Sequence, residues 1–140
     1  MSGDKAALEV MARLCGAWRV VQLIVAGEDV TRQEEDDYHY LWFTPEIIVT
    51  GDRWAAWHMP YALRADRAPM EIDITRDDLV TPWVQKSIIE VNGDTLRICG
   101  TGSVRRRRPA KFSSTASNKQ VLYTAERGDE PRPSGAPNSS

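Results

Sequence analysis

The chain has 140 residues, with 18 Lys and Arg against 20 Asp and Glu, a formal charge of -2, and 41% hydrophobic residues. That is one domain, long enough to bury a core without metal or disulfide staples, and its balance excludes the basic footprint of a dedicated nucleic-acid binder. No apolar run approaches the roughly 18 residues a membrane helix needs, so neither nucleic acid nor membrane is an expected partner.

Residues 4–14 place Leu8, Met11 and Ala12, flanked by Ala7 and Cys15, at helical spacing, with Ser2 or Asp4 as cap. One short amphipathic helix is expected over residues 1–15, closing an end of the domain. Asp4, Lys5, Glu9 and Arg13 interrupt any signal-peptide apolar core, which predicts cytoplasmic residence. Cys15 and Cys99 lack metal-ligand spacing and read as two buried thiols.

From Gly16 the apolar period changes from 3.6 to 2. Trp18 to Val25 reads as a strand ending at the turn Ala26-Gly27-Glu28-Asp29, and the acidic stretch Thr31 to Asp37 as a loop. His39 to Thr44 is the next strand, stopped by Pro45. Glu46 to Thr50 and Arg53 to Leu63 flank the hairpin signal Gly51-Asp52. Pro60 predicts that the second arm is an edge, bulged or broken there.

Met70 to Thr75 alternates, and Trp83 to Val91 and Thr95 to Cys99 flank Asn92-Gly93-Asp94, a further hairpin. Gln120 to Arg127 is the last strand. Gly128 to Ser140 is Pro, Gly, Ser and charge, and is expected to form a disordered tail. About eight short strands without intervening helices predict an all-β barrel or sandwich over residues 16–127.

Several segments in order carry a family resemblance: Gly16-Ala17-Trp18-Arg19-Val20-Val21, Glu71 to Thr75, Ile89 to Cys99, and Arg108-Pro109-Ala110-Lys111-Phe112-Ser113-Ser114 followed by Val121-Leu122. Together they resemble a lipocalin-like bacterial domain family of unknown function, first catalogued from planctomycetes. The resemblance runs from about Gly16 to Arg127 and is poorest from Pro45 to Ala68. It implies an eight-stranded antiparallel calycin-type β-barrel with a central cavity. It also implies that a last-strand arginine, here Arg127, packs over the Trp18 ring of the Gly-x-Trp. It supplies no reaction, catalytic motif or cofactor.

Alternation assigns the faces, with charged positions turned to water. Trp83, Gln85, Ser87, Ile89 and Val91 then point inward, with Leu96, Ile98, Met70, Ile72 and Ile74. Trp57, Met59, Tyr61 and Leu63 form the apolar face of their strand, leaving His58 outside. Leu41 and Phe43 carry His39 inward and leave Tyr40 and Trp42 outside. Exposed strand aromatics often mark an interface, so Tyr40 and Trp42 are the candidate homodimer surface.

The inward set suits a pocket of aromatic walls with a few polar groups, because buried Gln85 and Ser87 require partners. The alternative is a barrel interior filled by its own side chains. Trp57, Met59, Tyr61, Trp83, Gln85 and Ser87 are the candidate ligand contacts. His39, near Asp36 and Asp37, is the candidate general acid or base. Its alternative is a histidine at the barrel mouth bonded to backbone or water.

Two distant histidines offer no metal spacing, and no phosphate loop or nucleophile elbow is present. The run Arg105 to Arg108 reads as a solvated rim loop or as contacts to an anionic headgroup. The primary expectation is a barrel that binds one small hydrophobic or aromatic molecule without cofactor or metal. A cofactor-free isomerase or cyclase using the same cavity, and a filled-core interaction module, remain open beside it.

Overall fold

The structure, a computed structural model, describes residues 2–31, 40–51, 56–76, 82–103 and 105–128. Helix α1 (Ser2–Leu14) precedes nine strands: β1 (Gly16–Val25), β2 (Glu28–Asp29), β3 (Tyr40–Phe43), β4 (Ile47–Gly51), β5 (Ala56–Arg64), β6 (Met70–Arg76), β7 (Trp83–Asn92), β8 (Thr95–Gly100) and β9 (Val121–Arg127). From β3 to β9 each strand pairs antiparallel with the next. β1 then pairs with both β3 and β9, closing an eight-stranded antiparallel barrel. Closure removes the unpaired edges of an open sheet, as in up-and-down barrels. β2 is a short flap on β1, and was not expected from the sequence.

Turn chemistry sets the registers. Ala26 and Gly27, at φ 51° and 86°, join β1 to β2 as a primed turn. Gly93 holds φ 62° at the first central position of the two-residue β7–β8 turn, between paired Asn92 and Thr95. Pro60 neither breaks nor frees β5. Its strand pairs with β4 up to Ile47↔Pro60, and the described ladder to β6 begins at Tyr61↔Ile74. The proline therefore sits at the last described pair with β4 and one residue outside the described ladder to β6.

The helix packs through a different stripe from the one expected. Val10 and Leu14, one turn apart, are buried, whereas Leu8 is 71% exposed and Ala12 faces outward. Among the described residues the last turns reach the barrel: Leu14 joins the core cluster of Trp18, Phe43 and Leu96, and α1 caps that end. Both cysteines are free; Cys99 is buried and Cys15 half-buried.

The 20-residue connection from β8 to β9 also departs from the solvated rim loop expected. It folds back over the outer face of β6, β7 and β8. Arg108 donates to Ser87 O at 2.8 Å and to Asp73 Oδ1 at 2.6 Å, and lies 3.6 Å from Glu71. Arg97 stacks over Phe112 at 4.4 Å, and Cys99 Sγ lies 3.3 Å from Ser113 O. This cover explains why Ile88 and Cys99 are buried although they point away from the lumen.

Candidate functional site

The inner face divides the barrel along its axis. Near α1 the lumen is filled by Trp18, Phe43, Leu96 and Leu14, which belong to one buried cluster that continues into Leu41, Ile48, Met59, Ile74 and Ile98. At the opposite end a cavity of about 390 Å³ opens, within the size range of small-molecule sites. Its walls are Leu41, Ile48, Met59, Ile74 and Ile98, with Thr50, Trp57, Arg76, Gln85 and Tyr123 among them. A lobe of about 220 Å³ adjoins it, sharing Arg76, Gln85 and Tyr123 and adding Trp83, Thr101, Gly102, Val25 and Val121.

The two volumes come from side-chain size. At the capped end the lumen receives Trp18 and Phe43 from the neighbouring strands β1 and β3. At the mouth the inward positions hold Thr50, and Gly100 faces Ser87. A Cβ at Gly100 would sit 2.7 Å from Ser87 Oγ and 2.9 Å from Gln85, so only glycine admits the Gln85 side chain there. Gln85, 4% exposed, donates from Nε2 to Thr101 O at 2.8 Å and accepts at Oε1 from Arg76 Nη1 at 3.1 Å. The partners that its burial requires thus come from the wall itself, not from a ligand.

Of the six candidate contact residues, the structure brings Trp57, Met59 and Gln85 to the main cavity and Trp83 to the adjoining lobe. Trp57, 48% exposed, stands at the mouth. Tyr61 lies at the capped end: its hydroxyl donates to Thr44 O at 2.6 Å, 2.9 Å from Met11 Sδ, and its ring packs edge-on to Phe43. Burial, with Cys15 as a lesser cause, pushes the Tyr61 phenol up to about 12. Ser87 is fully buried in the wall behind Gly100 and lines neither space.

Trp18 is fully buried, donates from Nε1 to Leu14 O at 2.8 Å and lies beneath Arg127. His39 lies outside the described residues, and His58 is exposed on the outer face. The aromatic surface of β3 is not an open one: Tyr40 is 3% exposed and Trp42 half-buried. The cross-strand partner of Tyr40 in β4 is Gly51, which leaves room for the ring to lie against the sheet.

Arg76 and Tyr123 were missed. Arg76 continues the inward series Ile72, Ile74 and pairs directly with Trp83; Tyr123 pairs with Ile98 and Leu23. The period-2 rule carried one residue past Thr75 places Arg76 in the lumen. Burial raises the pKa of the Cys99 and Cys15 thiols, which hydrogen bonds to Cys99 and the Arg127 charge near Cys15 partly offset. A raised thiol pKa disfavours the nucleophilic thiolate at both positions. Among the described residues no group of three or more His, Cys, Asp or Glu could hold a metal, and no helix is long and apolar enough to cross a membrane.

These features define a class: a closed up-and-down β-barrel, capped by a helix at one end and hollow at the other. Comparison with family models, curated proteins and solved structures finds no match to the chain.

Proposed function

We propose that this chain is a lipocalin-like binding protein that holds one small, largely apolar or aromatic molecule in the open half of its barrel. The observation that carries this reading is the cavity of about 390 Å³ walled by Leu41, Ile48, Met59, Ile74 and Ile98. A filled-core module would carry bulky side chains at both ends of the lumen; the cavity beyond Trp18 and Phe43 favours the binding reading over it. Apolar walls with few polar groups suit binding by burial of apolar surface, at about 25 cal/mol per Å².

The test is a panel of small apolar and aromatic metabolites, read by tryptophan emission and melting temperature. Compounds that quench tryptophan emission and raise the melting point support the reading. Ile98→Phe, which fills the cavity from its wall, should then abolish the response while keeping the fold. A chain that responds to no compound, or an Ile98→Phe variant that responds as the parent does, overturns it.

A further inference from the structure

We propose that the ligand carries a planar aromatic ring that packs on the Trp57 indole at the mouth, and that Trp57 selects aromatic over saturated ligands. This inference rests on the reading of the cavity as a binding site, and adds the ligand's chemical class and the residue that recognises it. Trp57 alternates with Met59 on the inward face of β5, and both line the main cavity. Met59 is 7% exposed and belongs to the wall, whereas Trp57 is 48% exposed and keeps about half of its surface free.

The neighbours of this ring explain its freedom. Across the ladder to β4 it faces Thr50, a short side chain whose hydroxyl donates to Tyr40 O at 3.1 Å. On the other side the described ladder to β6 begins at Tyr61. Other aromatic rings are held by the fold: Trp18 by Leu14 O and Arg127, and Phe43 and Tyr61 by each other. Trp57 has no such hydrogen bond or ring contact among the described residues. Tyr123 also lines the cavity, but it has a partner within the chain. A rigid indole loses little freedom on binding, and its quadrupole rewards an offset or edge-on aromatic partner beyond the area buried. The walls below, Leu41, Ile48, Met59, Ile74 and Ile98, are aliphatic and reward any apolar body alike. Depth supplies affinity, and the mouth supplies selection.

Other covers for the indole fit less well. A docked protein surface would need an apolar patch, and among the described residues Trp57 is the one exposed large hydrophobic side chain on β4, β5 or β6. A straight acyl chain would shield the ring from water without the gain of an aromatic pair.

The experiment is calorimetric titration of the full chain with three primary alcohols of equal carbon number: 2-naphthalenemethanol, its fully saturated counterpart and 1-undecanol. The saturated bicycle has at least as much apolar surface as the aromatic one, so burial alone gives the naphthalene no advantage. The aromatic alcohol should bind ahead of both saturated ones by about three- to tenfold. In Trp57→Leu that ratio should fall to about one, while the saturated bicycle stays within about threefold of its parent affinity. Trp57→Phe should keep part of the ratio. A residue that merely supported the mouth would weaken all three alcohols together and leave the ratio as it was. Ile98→Phe should abolish binding of all three, as expected of probes seated in the cavity, and melting temperature confirms each fold. Equal affinities in the parent, a saturated alcohol that binds best, or a ratio unchanged in Trp57→Leu overturns the aromatic proposal and leaves the cavity reading standing. Absence of binding by all three, or binding that survives Ile98→Phe, overturns both. The order in the parent chain decides the matter even where a variant does not fold.

Discussion

The Arg127 guanidinium carbon lies 3.8 Å from the centroid of the Trp18 ring, and the pair closes the helix end of the barrel. Arg127 Nη1 donates to Cys15 O at 2.9 Å and Nη2 to Arg13 O, so one side chain ties the last strand to the end of α1. Gly16, at φ +117°, lets the chain turn beneath it; a Cβ there would meet Arg127 Nη1 at 3.0 Å. Helix, first strand and last strand thus converge on two residues that are 109 positions apart.

Trp18→Ala should cost about 3–5 kcal/mol, since the ring is fully buried. Arg127→Met keeps the aliphatic stem but removes the charge and two hydrogen bonds, and should cost about 1.5–3 kcal/mol. Urea midpoints at constant slope measure both. A Trp18→Ala protein as stable as the parent would show that this end is not part of the cooperative core.

The four consecutive arginines should behave unequally. Arg108→Met removes a largely buried guanidinium from Asp73 and Ser87 O and leaves the carboxylate without its closest cation, at about 2–4 kcal/mol. Arg105→Ala and Arg107→Ala alter exposed side chains and should stay within about 0.5 kcal/mol. Thermal melts of the three variants decide it, and equal losses at all three would refute the clamp.

How much of this was legible in the sequence varies by element. The inward series of β6, β7 and β8 could be read because Glu71, Asp73, Lys86, Glu90 and Arg97 all fall on the outward parity of their strands. The same logic hid Arg76, a charged residue that points inward because its pairing with Trp83 continues the ladder. For α1, both Leu8-Met11-Ala12-Cys15 and Val10-Leu14 fit helical spacing, and only the tilt onto the barrel end selects the second. The connection before β9 has no periodicity. Its sole trace in the sequence was that Ile88 and Cys99 are apolar at outward positions, a sign of cover without its source.

Gly100→Ala should destabilise the barrel by about 1–3 kcal/mol, since the added carbon would press on Ser87 Oγ and Gln85. Ser87→Ala in the same chain removes the tighter contact and should recover part of the loss. A double-mutant cycle on urea midpoints reads the coupling. Strict additivity would mean that the strand relaxes away from Ser87 instead.

The Tyr61 phenol gives the fold a defined alkaline weakness. Its folded value, pushed up to about 12 by burial, lies above the unfolded value near 10. The folded chain therefore holds a proton that the unfolded chain releases, and the stabilisation is full below pH 10 and declines as pH rises from 10 towards 12. Tyr61→Phe lacks this titration. At pH 8 it should be less stable by about 1 kcal/mol, because Thr44 O loses its donor. Above pH 10 the gap between variant and parent should narrow and then close. Denaturation midpoints of the two proteins between pH 8 and 11.5 provide the check. A gap that stays constant across that window would show that Tyr61 ionises in the fold as readily as in the unfolded chain.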